Sequence, residues 1–480
     1  MTAPTTAGRS RVRRQLRDFV LVWTGITVVM GACTFIAIYA AYGALTQTTS
    51  SGSRNNLALP VIPTSTPQVA AVQATTIPTR EAVKQPTATL QPTSEPASLA
   101  QAADVTEETP TEAPPTPTLL PVRDTRYQVG IQVQQTLDYN VEIQDGWLRE
   151  VQKLGLSWFK QQIRWEDFEK EKGNIDWGVL DVVMTSAQHF QHKVMLSIVT
   201  APPRSREAGV NLEKHGPPAN NADYVNFVTQ ILQKYPGQVH AIEVWNEMNI
   251  DREWTSTKGL SAANYVSLLK DTYTAVKAID PGIIVISGAL SPTGFNDGVG
   301  AWDDFVYMDQ LIAAGMLNYV DCIGAHANGY NVGPSYPYDQ IPNDPTAKFR
   351  GPFDNPHHSW SFYSTIRGYA AAVAKAGGNQ KICVTEFGWA STEDLDGYPP
   401  GFEFANDNTL EEQKDFTIQA LDLMKEWDVV WLAFIWNLNY GPQAGWNTDN
   451  DNVPYSIIGK DYAFRPVYDA IIEWSKTQDS

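Results

Sequence analysis

The chain has 480 residues, 43% of them hydrophobic and 11% aromatic, and carries a formal net charge of −18. This length and apolar content suit one large or several ordinary globular domains. The negative charge argues against a protein that grips nucleic acid electrostatically. The three cysteines show neither a disulfide framework nor the paired spacing of a zinc site.

The first predicted element is a membrane anchor over residues 19–45, FVLVWTGITVVMGACTFIAIYAAYGAL. This segment contains no charged residue and is longer than the roughly 20 residues that a helix needs to cross a bilayer. Five arginines precede it, and the next basic residue after it is Arg54. The positive-inside rule therefore predicts that residues 1–18 are cytoplasmic and that the remainder lies outside the membrane. A cleaved signal peptide is the alternative, although its apolar core normally has about 7–15 residues.

Residues 46–124 are predicted to form a disordered linker. They contain no Phe, Trp or Tyr and are rich in Thr, Pro, Ser, Ala and Gln. Such a composition cannot bury enough apolar surface to offset the entropy of ordering the chain. We expect an extended, partly polyproline stalk that holds the following region away from the membrane.

Residues 125–480 have the pattern of one α/β domain. Amphipathic helical stretches such as NYVSLLKDTYTAVKAID and LEEQKDFTIQALDLMKEW alternate with eight β-rich runs, at 127–133, 157–163, 193–199, 241–247, 283–289, 321–327, 381–387 and 429–436. Eight strands that alternate with helices predict a (β/α)8 TIM barrel. An open doubly wound sheet is the alternative, but no glycine-rich turn follows the first run.

Two of the cysteines, Cys322 and Cys383, fall in predicted strands six and seven. Free cysteine is among the most often buried residue types, so we expect two buried free thiols. A bridge between them is the open alternative. The third cysteine, Cys33, lies in the predicted anchor.

Two glutamates end predicted strands, Glu247 on strand four and Glu386 on strand seven. The carboxyl ends of barrel strands build the active site, and strands four and seven lie across its mouth. Two facing carboxyls are the equipment of glycoside hydrolysis, where one protonates the leaving oxygen and the other attacks the anomeric carbon or activates water. The proton donor needs a raised pKa. For either glutamate alone, a helix cap or a salt-bridge partner is the alternative.

Other strand ends supply polar and aromatic side chains, which are Gln132, Gln134, Arg164, Asn246, Ser291, His326, Tyr330 and Trp436. Aromatic residues also fall in the predicted strand-to-helix loops, namely Trp165, Trp254, Trp302, Tyr336, Tyr338, Trp389 and Trp446. We expect about half of these rings to line a cleft and half to pack as core. The long loop 326–351 is predicted to wall that cleft. The acidic run 447–452 lacks EF-hand spacing and is interpreted as a solvated loop rather than a calcium site.

Motifs through most of residues 127–474 resemble those of the clan A glycoside hydrolases, especially family 39 and relatives near family 5. They are WNE at 245–247, VTEFGW at 384–389, the stretch LGLSWFKQQIRWEDFEKEKGNIDWGVLDVVMTSAQHFQHKVMLSI, and YSIIGKDYAFRPVYDAI near the C-terminus. The resemblance implies a retaining double displacement, with Glu247 as acid/base and Glu386 as nucleophile. It also implies that Asn246 binds the sugar 2-hydroxyl and that Arg164 supports the nucleophile.

The same resemblance implies that Trp436 forms a floor under the sugar. Many clan members have His-x-Tyr on strand six, where the tyrosine bonds the nucleophile. Here His326 is followed by Asn328 at the tyrosine position, and Tyr330 stands two residues later. The implied chemistry needs no metal and no other cofactor.

Together these features predict a membrane-tethered, extracytoplasmic retaining β-glycoside hydrolase. Its expected partners are a polysaccharide or oligosaccharide and the membrane, and a stalk-mounted enzyme favours endo action on a polymer. Two alternatives remain at this point. One is an inactive barrel that serves as a surface carbohydrate-binding protein, and the other is a transglycosidase with the same residues.

Overall fold

The computed structural model describes residues 124–134, 139–345, 347 and 356–478. In this part of the chain eight parallel strands close into a barrel in the order β1 to β8. The strands are β1 Gln128–Gln132, β2 Trp158–Arg164, β3 Lys193–Val199, β4 Val239–Val244, β5 Ile284–Ser287, β6 Cys322–His326, β7 Lys381–Phe387 and β8 Val430–Ile435. The predicted TIM barrel is therefore confirmed.

Each strand is followed by a helix, and the first seven of these helices return the chain to the start of the next strand. These helices are α1 Val141–Lys153, α3 Gly178–Phe190, α4 Asn221–Lys234, α5 Ala262–Ile279, α6 Asp304–Ala313, α7 Phe362–Lys375, α8 Leu410–Trp427 and α10 Pro466–Gln478. Two four-residue helices, α2 Trp165–Phe168 and α9 Tyr440–Gln443, lie in the loops that follow β2 and β8.

Several helices begin at side chains that satisfy their first backbone N–H groups. Asn140 accepts from the amides of Glu142 and Ile143 at α1, and Ser261 accepts from the amide of Asn264 at α5. A complete capping box of Thr409 and Glu412 opens α8. Such caps fix where a helix starts, so the loops that carry the strand-end residues have defined lengths.

The end of the barrel interior nearest the strand starts is apolar and crosslinked. Ten buried residues form one cluster there, namely Trp158, Met195, Ala241, Ile284, Ile286, Cys322, Cys383, Trp431, Leu432 and Phe434. Cys322 on β6 and Cys383 on β7 are joined in a disulfide, with their Cα atoms 5.7 Å apart. The expectation of two free thiols is wrong, because neighbouring strands bring both residues to the same inner face within bridging distance.

The fourth strand is shorter than predicted. β4 ends at Val244, because Trp245 (φ 76°) and Glu247 (φ 45°) adopt left-handed backbone conformations that a strand cannot contain. The fifth strand, Ile284–Ser287, is also shorter than the predicted run 283–289, whereas β3 and β7 match at both ends.

The predicted cytoplasmic tail (1–18), anchor (19–45) and stalk (46–124) lie outside the described residues, except for Asp124 at the end of the stalk. Within the described part of the chain, no helix combines the length and the apolar character needed to cross a bilayer. The limits 1–18, 19–45, 46–124 and 125–480 stay predictions.

Candidate active site

Glu247 stands where the chain leaves β4 at the mouth of the barrel. Left-handed backbone at non-glycine residues costs free energy and is tolerated where the surroundings hold it in place. Here the Glu247 amide donates to the Ala289 carbonyl at 2.8 Å. The Tyr265 hydroxyl donates to the Val244 carbonyl at 2.8 Å and accepts from the Gly288 amide. These bonds tie the end of β4 to β5 and so fix the direction of the Glu247 side chain.

Glu386 lies near the end of β7, opposite His326 of β6. The register shifts between Ala325 and His326 on one side, and between Val384 and Phe387 on the other. Irregularities of this kind re-aim side chains and are common beside active sites. Gly388 follows, and a Cβ there would lie 2.6 Å from the Trp436 carbonyl oxygen, so only glycine fits.

A single buried imidazole joins the two glutamates. His326 Nδ1 lies 3.0 Å from Glu247 Oε1, and its Nε2 lies 3.4 Å from Glu386 Oε1. The side chains of His326, Glu247 and Glu386 are 2%, 14% and 9% exposed. The residues that the sequence singled out on these three strands therefore meet in one site that is largely buried.

The charges around Glu247 act against the raised pKa that a proton donor needs. Burial raises the pKa of Glu247, but the hydrogen bond and charge of His326, the charge of Arg252 and a hydrogen bond from Ser291 outweigh it, and the pKa is lowered overall. Burial lowers the pKa of His326, whereas the charges of Glu386 and Glu247 and the Glu247 hydrogen bond raise it overall. Both directions favour an ionised carboxylate at Glu247 beside a protonated imidazole at His326.

Arg252 forms the outer contact of Glu247. Its Nη2 donates to Glu247 Oε2 at 3.3 Å and its Nε donates to Glu253 Oε1 at 3.1 Å. The Arg252 side chain is 67% exposed, so this contact lies at the solvent side of the site. A ligand that reached Glu247 from the barrel mouth would meet Arg252 first.

Lys160, not Arg164, is the cation beside Glu386. Lys160 is completely buried, and its Nζ donates to Glu386 Oε1 at 2.9 Å and to the Thr385 carbonyl at 3.3 Å. Burial lowers the pKa of Lys160, but the charges of Glu243 and Glu386 and its hydrogen bonds to them raise it overall. Lys160 thus supplies a permanent positive charge, which favours the ionised form of a carboxylate next to it.

Arg164 does not contact Glu386, although the motif resemblance implies that it supports the nucleophile. Its guanidinium forms an ion pair with Glu166, and its Nε lies 3.5 Å from Asp167 Oδ2. Its Nη2 also lies 3.1 Å from His215 Nε2. Arg164 is the last residue of β2, so its long side chain extends to the rim, where these partners hold it.

An aromatic cluster forms one side of the site. Trp436 packs with Tyr330 and Tyr440 in a cluster that also contains Ala390, Phe402, Phe404, Ala405 and Tyr455. The Trp436 ring centroid is 5.0 Å from that of Tyr440 and 5.9 Å from Lys160 Nζ, and the peptide bond after Trp436 is cis. The predicted positions of Trp436 and Tyr330 near the site fit this geometry, and such rings offer a face to a sugar.

Tyr330 stays neutral in this setting. Burial, followed by the charges of Glu247 and Asp304, raises the pKa of Tyr330 to about 12. Its ring lies 4.9 Å from that of Phe404, and its carbonyl accepts from Asn408 Nδ2 at 2.8 Å. Tyr330 is therefore a neutral phenol that lies close enough to Glu247 to be affected by its charge.

Two asparagines present buried acceptors that have no donor among the described residues. They are Oδ1 of Asn246, a residue that is 8% exposed, and Oδ1 of Asn328. A buried acceptor without a donor is costly unless a ligand or water supplies one. Hydroxyl groups of a bound ligand would satisfy both, and this agrees with the role implied for Asn246.

The loop aromatics differ in burial, and the prediction that about half of them line a cleft stays a prediction. Trp165, Trp254 and Trp389 are each 1% exposed and pack as core, whereas Tyr336 is 40% exposed. The acidic run 447–452 forms turns in which the amides of Asp449 and Asn452 bond to Asn447 and Asn450. The loop after β6 is described only in part, since residues 346 and 348–355 lie outside the described ranges.

The sequence analysis missed Lys160, Glu243 and Arg252. A signal for the first two was present, because Lys160 and Glu243 lie two residues after Trp158 and Ala241 and therefore share the inner face of their strands. A charged residue on the inner face of a barrel strand needs a partner, and Glu243 Oε2 lies 3.4 Å from Lys160 Nζ. Arg252 carried no comparable signal, since its role depends on a loop conformation.

Comparisons with known proteins agree with the barrel but reach little further. No family model and no curated protein matches the chain. A family 39 glycoside hydrolase from Bacteroides cellulosilyticus WH2 is similar in structure, with a TM-score of 0.54, 17% sequence identity, and 74% of this chain and 64% of that chain covered. The match thus spans just under two thirds of that protein.

Two further solved structures show weaker similarity. A monomeric beta-xylosidase from Caulobacter crescentus CB15 has a TM-score of 0.49 and 15% identity, with 73% of this chain and 68% of that chain covered. An endo-beta-1,4-glucanase from Xanthomonas axonopodis pv. citri has a TM-score of 0.45 and 13% identity, with 73% and 99% covered. The resemblance drawn from the motifs is confirmed at the level of fold, because the family 39 glycoside hydrolase is similar in structure to this eight-stranded barrel.

Proposed function

We propose that the protein is a retaining β-glycoside hydrolase that cleaves O-glycosidic bonds of a polysaccharide or oligosaccharide. The observation that carries the proposal is the pair of carboxyls at the barrel mouth, Glu247 and Glu386, on either side of buried His326. Nδ1 of His326 is hydrogen-bonded to Glu247, and its Nε2 lies at ion-pair distance, 3.4 Å, from Glu386. Retaining glycosidases hold their two carboxyl groups about 5–5.5 Å apart so that one can attack while the other protonates. The barrel shared with family 39 supports the same reaction by analogy of fold.

In the first step the Glu386 carboxylate attacks the anomeric carbon and forms a glycosyl ester. The bond to the leaving oxygen breaks, and that oxygen takes a proton from Glu247. Glu247 first gains this proton from His326, whose Nδ1 lies 3.0 Å from its Oε1. This shift conserves the total charge of the buried site, so binding need not draw a proton from solvent.

In the second step water attacks the glycosyl ester. Glu247, now a carboxylate, removes a proton from the water, and Glu386 leaves as the carboxylate. Two inversions at the anomeric carbon give net retention. Asn246 would bind the sugar 2-hydroxyl through its unpartnered Oδ1, and Trp436 would lie beneath the ring.

We also propose that the barrel acts outside the cell membrane, tethered by residues 19–45 through the stalk 46–124. The Cys322–Cys383 disulfide supports this location, because such bonds persist in oxidising compartments and are rare in the cytosol. The positive-inside pattern of the arginines before residue 19 supports the orientation. A protease-protection assay on intact cells tests it, since barrel epitopes should be cleaved only if they face outward.

A substrate screen tests the proposed activity. The full chain should release aryl alcohols from at least one aryl β-glycoside or sugars from one polysaccharide. Glu386→Gln should not, and Glu247→Gln should be slowed by about 10²–10⁴-fold on substrates whose leaving group needs protonation. The matched control is Glu411→Gln, which makes the same chemical change at a 65% exposed side chain on α8 and should keep wild-type rates.

Two results would redirect the proposal. Glycan binding with no turnover of any substrate would favour the carbohydrate-binding alternative. Transfer of the glycosyl group to a sugar in preference to water would favour the transglycosidase alternative. Wild-type rates in Glu247→Gln or Glu386→Gln would contradict the assignment of that residue.

A further inference from the structure

A third buried carboxylate stands behind the nucleophile. Glu243 on β4 is completely buried, and its Oε2 lies 3.4 Å from Lys160 Nζ. Lys160 in turn reaches Glu386 Oε1 at 2.9 Å and the carbonyl of Thr385, the residue before it. The Ala289 amide donates to Glu243 Oε1 at 3.4 Å, so the far end of this chain of contacts is also fixed.

We propose that Glu243 and Lys160 form a positioning pair that holds Glu386 Oε1 and leaves Oε2 to attack the anomeric carbon. Both cationic neighbours of Glu386, Lys160 and His326, lie on Oε1. A carboxylate pinned through one oxygen keeps its second oxygen in one direction, and fixed direction is what attack geometry requires. This inference rests on the proposed function, because it assigns a role within that reaction.

The burial of the pair favours a role in the reaction over a role in folding. Two charges inside a protein cost desolvation energy that their attraction often fails to repay, and apolar side chains of similar volume are frequently as stable. The apolar cluster one layer below, with Trp158 and Ala241 on the same strands, shows what this barrel uses for packing alone. Lys160 and Glu243 occupy the next inward-facing positions on these two strands, and Lys160 there contacts Glu386.

The other titratable groups that face Glu386 do not replace Lys160 as a permanent cation. His326 on β6 shares its proton with Glu247. Tyr440 and Tyr455, which follow β8, stay neutral, because burial in the first place, together with the charge of Glu386, raises the pKa of each. Loss of Lys160 would therefore leave Glu386 with no charge-balancing group whose proton is independent of the acid/base.

The test compares Lys160→Met, Glu243→Leu and the double variant Lys160→Met/Glu243→Leu in the full chain. Lys160→Met should unfold at a lower urea concentration, because it leaves the buried carboxylates of Glu243 and Glu386 without their cation, and the double variant should recover part of this loss, because it also removes the charge of Glu243. Glu243→Leu should lower the urea midpoint less than Lys160→Met does, because Lys160 keeps its contact with Glu386. Lys160→Met and the double variant should both lose about 100-fold in kcat/KM. In both, the acidic limb of the kcat/KM profile should move to higher pH, because the nucleophile loses its cation.

Two further variants sharpen the reading. Lys160→Arg keeps the charge and should keep the acidic limb in place. Lys277→Met removes a lysine that is paired with Asp321 outside the site, so it should lower the urea midpoint without moving the limb. A double variant that regained activity together with stability would overturn the positioning role but would leave the proposed function in place. A wild-type chain that turned over no glycoside would overturn the proposed function and this role with it.

Discussion

The two ends of the barrel interior are built by the same strands but from opposite kinds of side chain. Near the strand starts, Trp158, Ala241 and Cys322 pack in an apolar layer that the disulfide closes. Two to four residues further along the same strands stand Lys160, Glu243 and His326. Because side chains alternate along a strand, residues two apart share the inner face. A step of two residues along β2 or β4 therefore leads from the apolar layer to the charged site.

The apolar end of the barrel interior supports the charged end. Left-handed backbone at Trp245 and Glu247 and a buried lysine are unfavourable on their own. They persist because the crosslinked layer below and the helices around it hold each strand in register. We therefore expect changes at the charged end to affect chemistry first, and changes at the apolar end to affect stability first.

The largest effect is expected at Glu386. Replacement by Gln removes the attacking carboxylate, so kcat/KM should fall by about 10⁴-fold or more. The change keeps the shape of the side chain, so the urea midpoint should stay near that of the wild type. The measurement is initial-rate kinetics on the best aryl β-glycoside together with equilibrium unfolding in urea. Activity within tenfold of the wild type, a difference of roughly 1.4 kcal/mol, would contradict the expectation that changes at the charged end affect chemistry first.

A large effect that depends on the substrate is expected at Glu247. Replacement by Ala should cost about 10²–10⁴-fold, the usual contribution of a general acid or base. The loss should be smallest for leaving groups that need no protonation, such as a nitrophenolate. Azide should restore turnover and give a β-glycosyl azide, since a small anion can enter the space of the lost carboxylate without needing a base. Equal losses for good and poor leaving groups would count against the acid role.

At the apolar end we expect a change in stability with little change in chemistry. Replacing Cys322 and Cys383 by Ser removes a crosslink across 61 residues of sequence and should lower the free energy of unfolding by about 2–4 kcal/mol. Urea titrations with and without reductant measure this, and the variant should be insensitive to reductant. Below the unfolding transition kcat/KM should stay near the wild-type value. A large loss of activity in the folded variant would mean that the two ends are coupled.

The His326–Glu247 pair predicts a pH-dependent contribution to stability. The pKa of His326 is raised from its usual 6.5, so its contribution is complete below that value and is lost as the pH rises through the folded-state pKa. The pKa of Glu247 is lowered from its usual 4.5, so its contribution is complete above that value and is lost as the pH falls through the folded-state pKa.

The stability difference between wild type and His326→Gln should therefore be greatest between about pH 4.5 and 6.5 and should shrink on both sides. Urea unfolding over a range of pH values measures the difference. A difference that did not vary with pH would show that His326 acts through packing and not through its charge.

The smallest effect is expected at Arg164. Its partners Glu166 and Asp167 lie on its own loop, and its side chain is 39% exposed. Exposed ion pairs contribute little, about 0–1 kcal/mol, so Arg164→Gln should change kcat/KM by no more than about threefold. A loss as large as that of Lys160→Met would restore the role that the motif resemblance implied for Arg164.

The barrel could be predicted from the sequence, because strand-like runs and helical periodicity alternate through residues 127–474. Two features of the site could be predicted as well. Glu247 and Glu386 end strands whose carboxyl ends must share one face, and His326 ends the strand beside Glu386. Backbone direction was harder, since nothing in the letters WNE shows that Trp245 and Glu247 leave the strand with positive φ.

The distance of a residue from the barrel mouth and the register between neighbouring strands could not be predicted from the sequence. Lys160 and Arg164 lie on the same face of β2, so alternation cannot decide between them, and only the distance from the barrel mouth does. Cys322 and Cys383 share a face only because Cys383 pairs with Gly324, two residues beyond Cys322. Single-sequence reasoning does not supply that register.

Trapping the glycosyl-enzyme tests the central claim most directly. The full chain would be incubated with a 2-deoxy-2-fluoro β-glycoside of an accepted sugar and a good leaving group, digested, and mapped by mass spectrometry. The account predicts one fluoroglycosyl group on the peptide that contains Glu386, with labelling abolished in Glu386→Gln. A stable label on Glu247 or Glu243, or turnover of the substrate with inversion and no label, would contradict it.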